Sequence, residues 1–148
     1  MGEPLKRSVW WLQNLSEMEA TVSSWSRNKN VVVVYDASEL DRFVDEVIQS
    51  ECNEYPTIIE IQANGYLLTM AVGLAESFVQ ISSESGLSPY LVAVSDKNAA
   101  DTFDFYFQGL HHTEIPRRNI LPSTFARELS RAFLVTGTIP ESIEWEEV

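Results

Sequence analysis

STFARELSRAFLVTGTIPESIEWEE, residues 123–147, is the stretch of the chain that decides most about its fold. Its first half predicts an amphipathic helix over about 123–136, because apolar side chains recur at i, i+4, i+7 and i+8 and so share one face. These side chains are Phe125, Leu129, Ala132 and Phe133. Gly137 supplies the left-handed residue with which many helices end, and Pro140 cannot continue a helix. Trp145 lies in an alternating run that is typical of a half-buried strand.

A second local pattern predicts a hairpin. Residues 57–72 read TIIEIQANGYLLTMAV, which is two apolar runs joined by Asn64 and Gly65. Both turn residues tolerate positive φ, so the sequence predicts a two-residue type I′ turn. Gly73 is expected to end the second strand. The turn sets the register and predicts three opposed pairs on the core face: Ala63–Tyr66, Ile61–Leu68 and Ile59–Met70.

Three segments precede that hairpin. The segment Ser16–Trp25 fits a helix that starts with a capping box, and it equally fits a strand that leads into a polar turn. The β-branched run Val31–Tyr35 predicts a strand that is buried on both faces or covered by a helix. A helix follows over about 38–50, with Ser38 as its N-cap. Its apolar stripe consists of Leu40, Phe43, Val44, Val47 and Ile48.

The remaining segments are short apolar runs separated by polar turns. Strands are predicted over Phe78–Ser82, Tyr90–Ser95 and Phe103–Phe107. His111–Asn119 is predicted to be a polar connection. Together the elements predict an α+β fold: a mostly antiparallel sheet of about five to seven strands, with the two main helices (about 38–50 and 123–136) packed on one face.

Charge and composition narrow the classes of function. Ten basic and 22 acidic residues give a formal net charge of −12, which repels nucleic acid and anionic membranes and attracts basic partners. The hydrophobic fraction of 45% is typical of a globular domain. A single cysteine, Cys52, rules out an internal disulfide and fits a reducing compartment. No apolar run of about 20 residues and no signal-peptide pattern occurs, so we expect a cytoplasmic protein.

No motif in the sequence indicates catalysis. The chain has no P-loop, no G-x-G-x-x-G and no G-x-S-x-G elbow. His111, His112 and Glu114 are close in sequence, but adjacent imidazoles in a loop diverge and fall short of the usual three or four metal ligands. Acidic neighbours are expected to raise the pKa of the Cys52 thiol and leave it inert. We therefore expect no catalytic residue, cofactor or metal, and Arg117–Arg118 is expected to pair locally.

The pattern of the tail resembles a known family. S-x-F-A-x-x-x-x-x-x-F-x-x-T-G-x-x-P-x-x-I-x-W-x-E, the V-V-V-x-D-A-x-E-L entry at Val32–Leu40, the N-G hairpin and Gly73 are similar to the first-numbered immunity family of bacterial polymorphic toxin systems. The resemblance covers roughly Ala20 to Glu146 and favours the strand for residues 20–25. We expect one immunity-type domain over residues 1–148, in which residues 1–15, outside the resemblance, form a peripheral N-terminal extension.

The resemblance also implies a function. Members of that family bind and silence a cognate secreted toxin. A nucleic-acid deaminase is our first expectation for the partner and a nuclease our second, because both are basic where they hold their substrates. The expected complex is one-to-one, without nucleic acid or membrane. A small ligand-binding or enzyme domain of unknown substrate, and an adaptor subunit of a larger assembly, are the alternatives.

Contact residues are expected among tyrosines and carboxylates near turns and on outer strand faces, since tyrosine is enriched at binding hot spots. Asp104 and Tyr106 share the outer face of one predicted strand. Four further residues flank the neighbouring turns. They would cluster with this pair if the strands predicted at 78–82, 90–95 and 103–107 were neighbours in a meander. The predicted partner-binding residues are Glu84, Tyr90, Asp96, Asp101, Asp104 and Tyr106.

Overall fold

The computed structural model of the chain describes residues 19–25, 31–87, 90–107 and 111–148. The predicted extension at residues 1–15 lies outside them. The strands are β1 (Ala20–Ser24), β2 (Val31–Val34), β3 (Thr57–Ala63), β4 (Tyr66–Val72), β5 (Glu76–Ser77), β6 (Val79–Ser83), β7 (Tyr90–Val94), β8 (Thr102–Phe107), β9 (His111–Pro116), β10 (Leu121–Pro122) and β11 (Glu144–Glu147). The helices are α1 (Ala37–Glu51), a 3₁₀ turn (Arg117–Asn119) and α2 (Ser123–Thr136).

Seven of these strands form one sheet in the order β11-β7-β6-β4-β3-β1-β2, and all neighbours pair antiparallel. Both α-helices pack on the same core, to which α1 contributes Phe43 and α2 contributes Phe133. The predicted α+β architecture is therefore confirmed, including both helices. The segment Ser16–Trp25 forms a strand from Ala20, as the resemblance favoured, while its first three residues are not among those described.

The hairpin of β3 and β4 has the predicted register. Ala63 opposes Tyr66, Ile61 opposes Leu68 and Ile59 opposes Met70. Asn64 and Gly65 both adopt positive φ, as the two-residue turn requires. The strand ends before Gly73, which has a φ of +106°. The hairpin lies in the middle of the sheet, and the outer strands pair on either side of it.

The tail also folds as predicted. Helix α2 ends at Gly137, which is left-handed with a φ of 68° and donates its N–H to the Phe133 carbonyl at 2.8 Å. The indole N–H of Trp145 donates to the Pro140 carbonyl at 2.7 Å, which fixes the turn after the helix. After this turn, β11 pairs with β7 at the edge of the sheet.

Two predictions about the first half of the chain are wrong in detail. The N-cap of α1 is Asp36 and not Ser38, because the extended Asp36 accepts the Glu39 N–H at 2.9 Å while Ser38 already lies in the helix. Of the two arrangements predicted for β2, burial on both faces is wrong, because β2 is the edge of the sheet and Val31 and Val33 are 64% and 41% exposed. Cover by the helices holds for Val34, which is buried in the core that both helices share. Its run of valines indicates β-structure but not position in the sheet.

The second half contains a larger departure. His111–Pro116 is a strand, β9, where a polar connection was predicted, and only Arg117–Asn119 turns. Strand β8 pairs with β9 in a separate two-stranded sheet and does not continue a meander from β7. We call β8 and β9 the ribbon. Its apolar face lies on the side of the main sheet away from the helices, where Phe105 packs with Ile58.

Candidate partner-binding face

The ribbon has one apolar and one polar face, because successive side chains of a strand point in opposite directions. Phe105 and Phe107 are 0% and 3% exposed and belong to the core beneath the ribbon. The rings of these two residues stack with centroids 5.4 Å apart, and Phe78 meets Phe105 edge to face at 5.4 Å. This packing holds one face of the ribbon against the sheet, so its other face is exposed to solvent.

The outer face of the ribbon carries Asp104, Tyr106, His112 and Glu114. The register places Tyr106 opposite His112 and Asp104 opposite Glu114. The Tyr106 and His112 rings stack with centroids 4.7 Å apart and an interplanar angle of 13°. The Nε2 atom of His112 lies 2.9 Å from Oδ1 of Asp104. Two carboxylates and two stacked rings thus form one patch, in which Tyr106 is 54% exposed.

The six predicted contact residues fall into three pairs in the structure, and the first pair is Asp104 and Tyr106 on this outer face. Glu84 and Tyr90, the second pair, flank the turn between β6 and β7. The Glu84 N–H donates to the Gly65 carbonyl at 2.9 Å, so this turn lies beside that of the central hairpin. The Tyr90 hydroxyl donates to the Gly86 carbonyl, which ties the ring to its own turn.

Asp96 and Asp101 form the third pair, and both contact the 3₁₀ turn that follows the ribbon. The Asp96 N–H donates to the Arg118 carbonyl at 3.3 Å. The Asp101 carboxylate accepts a hydrogen bond from Nε of Arg117 at 3.0 Å, and the Arg117 guanidinium lies 5.5 Å from the centre of the Phe103 ring. Asp101 is therefore at the base of the ribbon, one residue before β8 begins.

Arg118 binds the other side of the same turn. Its Nε donates to Oε1 of Glu146 at 2.9 Å, and the amide of the buried Asn119 donates to the same oxygen at 3.0 Å. These hydrogen bonds, from Asn119 first and Arg118 second, lower the pKa of Glu146 below its ordinary value. Both arginines of the Arg117–Arg118 pair are thus engaged locally, as predicted.

Sequence reasoning missed His112 and Glu114 as members of the face. Both fall in the segment predicted as a connection, so their alternation with Thr113 and Ile115 was not used. That alternation is the signal that could have identified β9, because Ile115 packs against the core beneath the ribbon. Ligand atoms of Asp104, His112 and Glu114 lie within 4.8 Å of one another, so these three could hold a metal ion.

The cysteine does not add a reactive group. Burial raises the pKa of the Cys52 thiol, a hydrogen bond from the Thr57 backbone lowers it, and the Glu51 carboxylate adds a smaller rise. The predicted direction is confirmed, although burial and not the acidic neighbour is the main cause. A thiol whose pKa is raised is a poor nucleophile at neutral pH.

A groove of about 770 Å³ opens between the start of α2 and the end of β4. Arg127 and Arg131 line it, but both are paired across the two helices. Nη1 of Arg127 lies 2.7 Å from Asp45, and Nε of Arg131 lies 2.9 Å from Asp41. These pairs neutralise the arginines, so the groove does not form a strong anion site.

Residues 28–147 match the family described as Immunity protein Imm1. The match spans most of the chain, from just before β2 to the end of β11, and the chain belongs to this family. The family identifies it as an immunity protein against a polymorphic toxin, which implies that it binds a cognate toxin and suggests a non-enzymatic role. No curated protein matches the chain. No helix in the described part of the chain combines the length and apolarity needed to span a bilayer.

Proposed function

We propose that this immunity protein neutralises a basic, nucleic-acid-directed deaminase toxin in the cytoplasm by covering its active-site mouth in a one-to-one complex. A deaminase that acts on nucleic acid must attract phosphates, so its substrate channel is positively charged. A protein with a net charge of −12 is suited to occupy such a channel, because its carboxylates take the place of substrate phosphates.

The outer face of the ribbon is the proposed centre of contact. The observation that carries this is the combination of Asp104 and Glu114 with the exposed, stacked ring of Tyr106 on one face. Aromatic anchors with neighbouring charges dominate the binding energy of many interfaces. Asp96 and Asp101 remain predicted contacts at the base of the ribbon, where the Asp101 carboxylate is paired with Arg117. Glu84 and Tyr90 remain predicted contacts at the β6–β7 turn.

The partner is to be identified first, by affinity purification of the tagged full-length chain from the producing cells and mass spectrometry. We expect recovery of the C-terminal domain of a large secreted protein with deaminase activity that the chain inhibits. A nuclease in its place would support the alternative toxin class. If the folded chain captured no toxin domain, the proposal would be wrong and metabolite screening would follow.

The contact face is then tested by calorimetry with the recovered toxin domain. We expect the double variant Asp104→Lys, Tyr106→Ala to weaken binding by at least tenfold, because it reverses a charge and removes an aromatic anchor. Its melting temperature should change little, since the substituted side chains are exposed and the Asp104–His112 pair is a surface pair.

The matched control is Glu54→Lys, Tyr55→Ala. Glu54 and Tyr55 are likewise an exposed acidic residue and an exposed aromatic residue, but they lie in the loop after α1 and not on the ribbon. The control makes the same changes in charge and in aromatic area. Equal loss of affinity in both double variants would reject the ribbon face and leave only the overall charge as the cause.

A further inference from the structure

Three potential metal ligands lie on the outer face of the ribbon. Asp104 stands directly opposite Glu114 across the two strands, and His112 precedes Glu114 by two residues on the same face. The register therefore places one imidazole and two carboxylates together from two adjacent strands. Their ligand atoms all lie within 4.8 Å of one another, so small rotations of exposed side chains are enough to bring them around one ion.

The imidazole is held in a defined orientation. The Tyr106 ring stacks on that of His112 at 4.7 Å, and this contact directs Nε2 toward Oδ1 of Asp104 at 2.9 Å. A ligand whose ring is already oriented loses less conformational freedom when it binds a metal. The sequence prediction excluded a metal on the ground that His111 and His112 diverge in a loop; they do diverge, but as neighbours in a strand, and only His112 faces the two carboxylates.

The pairing of Asp104 with Glu114 gives a second physical reason for a cation here. Like charges directly opposite each other on one face of a sheet destabilise the pairing of the strands. The chain as a whole has an excess of 12 negative charges, which strengthens that repulsion. A divalent cation between the two carboxylates converts the repulsive pair into two attractive contacts.

We propose that Asp104, His112 and Glu114 bind one divalent transition-metal ion of the zinc class. One imidazole nitrogen and two carboxylate oxygens suit zinc better than magnesium or calcium, which prefer oxygen ligands. Nε2 of His112 must be unprotonated to bind, so the metal replaces the hydrogen bond to Asp104, and the imidazole proton resides on Nδ1. Three protein ligands leave at least one coordination position for water or for a group of a partner. The site shares Asp104 and Glu114 with the proposed contact face, but zinc binding is a property of the chain alone and does not depend on the identity of the toxin.

The test is calorimetric titration of zinc chloride into the full-length chain in a buffer that does not chelate zinc. We expect a site with one zinc per chain, and a loss of affinity of at least tenfold on His112→Gln. The same loss is expected for Glu114→Gln, which removes a ligand from the same strand and serves as the second variant. Magnesium chloride should not compete at a tenfold excess over zinc.

The matched control is His111→Gln. His111 is the neighbouring histidine on the same strand, but it faces the opposite side of the ribbon, so its removal should leave the affinity for zinc unchanged. Circular dichroism and the melting temperature establish that each variant is folded. The proposal is overturned if the wild-type chain does not bind zinc, or if the His112 and Glu114 variants bind it as tightly as wild type. A loss in the His111 variant equal to that in the His112 variant would also overturn it. None of these outcomes bears on whether the chain captures a toxin.

Discussion

At the scale of single residues, the carboxylate of Glu146 is held by two hydrogen bonds from other parts of the fold. It accepts hydrogen bonds from the Asn119 amide at 3.0 Å and from the Arg118 guanidinium at 2.9 Å, and its pKa is lowered from 4.5. A lowered pKa in the folded state stabilises the protein at pH values above the ordinary value. The stabilisation is lost as the pH falls through the lowered pKa.

We therefore expect Glu146→Gln to reduce the free energy of unfolding by about 1 kcal/mol at pH 7, the size of a partly exposed charged hydrogen bond. The difference from wild type should shrink as the pH falls below 4.5. Urea denaturation at neutral and at acid pH measures both values. Glu147→Gln, at an exposed position, is the control. If the loss of unfolding free energy in Glu146→Gln were the same at both pH values, the lowered pKa of Glu146 would not contribute to stability.

Gly73 illustrates a steric requirement at the same scale. Its φ is +106°, and a Cβ at this position would lie 2.9 Å from both Cβ and Sγ of Cys52 and 3.1 Å from the Cα of Pro56. We expect Gly73→Ala to cost roughly 2–4 kcal/mol, because backbone strain adds to a clash with the Cys52 side chain and a tight contact with the Pro56 backbone.

The control for Gly73 is Gly86→Ala. Gly86 has a similar positive φ of +80°, but an added Cβ would meet no heavy atom within 4 Å. This variant should lose only about 1 kcal/mol, the cost of the left-handed conformation. Chemical denaturation of both variants gives the comparison, and equal losses would show that the contact with Cys52 relaxes freely.

At the scale of elements, the ribbon depends on one buried ring. Phe105 is fully buried and its ring contacts those of Phe78, Phe103 and Phe107. We expect Phe105→Ala to destabilise the protein by about 3–5 kcal/mol, because it removes a large side chain and leaves a cavity. Phe103→Ala, on the same face but only partly buried, should cost about half as much. If the two losses measured by urea denaturation were equal, Phe105 would not be the centre of this core.

Some elements of the fold can be predicted from local sequence patterns alone. The hairpin of β3 and β4 and the end of α2 follow from local chemistry, because Asn64, Gly65 and Gly137 each supply a backbone conformation that their own turn requires. Position in a sheet is not local: the valines of β2 predict a strand equally well at the centre and at the edge. Strand β9 carries an alternation of its own that was not used, and the burial of its Ile115 comes from residues far away in the sequence, among them Ile58.

At the scale of the whole molecule, one part of the candidate site could be predicted from the sequence and another part depends on how the strands pair. Alternation along β8 predicted that Asp104 and Tyr106 share an outer face, and the structure places them there. The addition of His112 and Glu114 depends on the pairing of β8 with β9, which no pattern within β8 contains. The division of the six predicted residues into three pairs likewise follows from the topology, since β8 leaves the main sheet.

The net charge of −12 makes a prediction about how the complex forms. If the toxin domain is basic, long-range attraction raises the association rate constant, and salt screens it, since the Debye length is about 10 Å at 0.1 M ionic strength. We expect stopped-flow measurements to show the association rate constant falling roughly tenfold or more between low and high salt. The dissociation rate constant should change much less, because it depends on short-range contacts.

The two double variants distinguish the effect of the overall charge on binding from the effect of contacts at the ribbon. Both Asp104→Lys, Tyr106→Ala and Glu54→Lys, Tyr55→Ala raise the net charge by two, from −12 to −10, so a global field predicts similar, small decreases in the association rate constant for both. Only the ribbon variant should also speed dissociation, because only it removes contacts that hold the complex together. An association rate constant that did not depend on salt would show that the charge of the chain serves its solubility and not the capture of a basic partner.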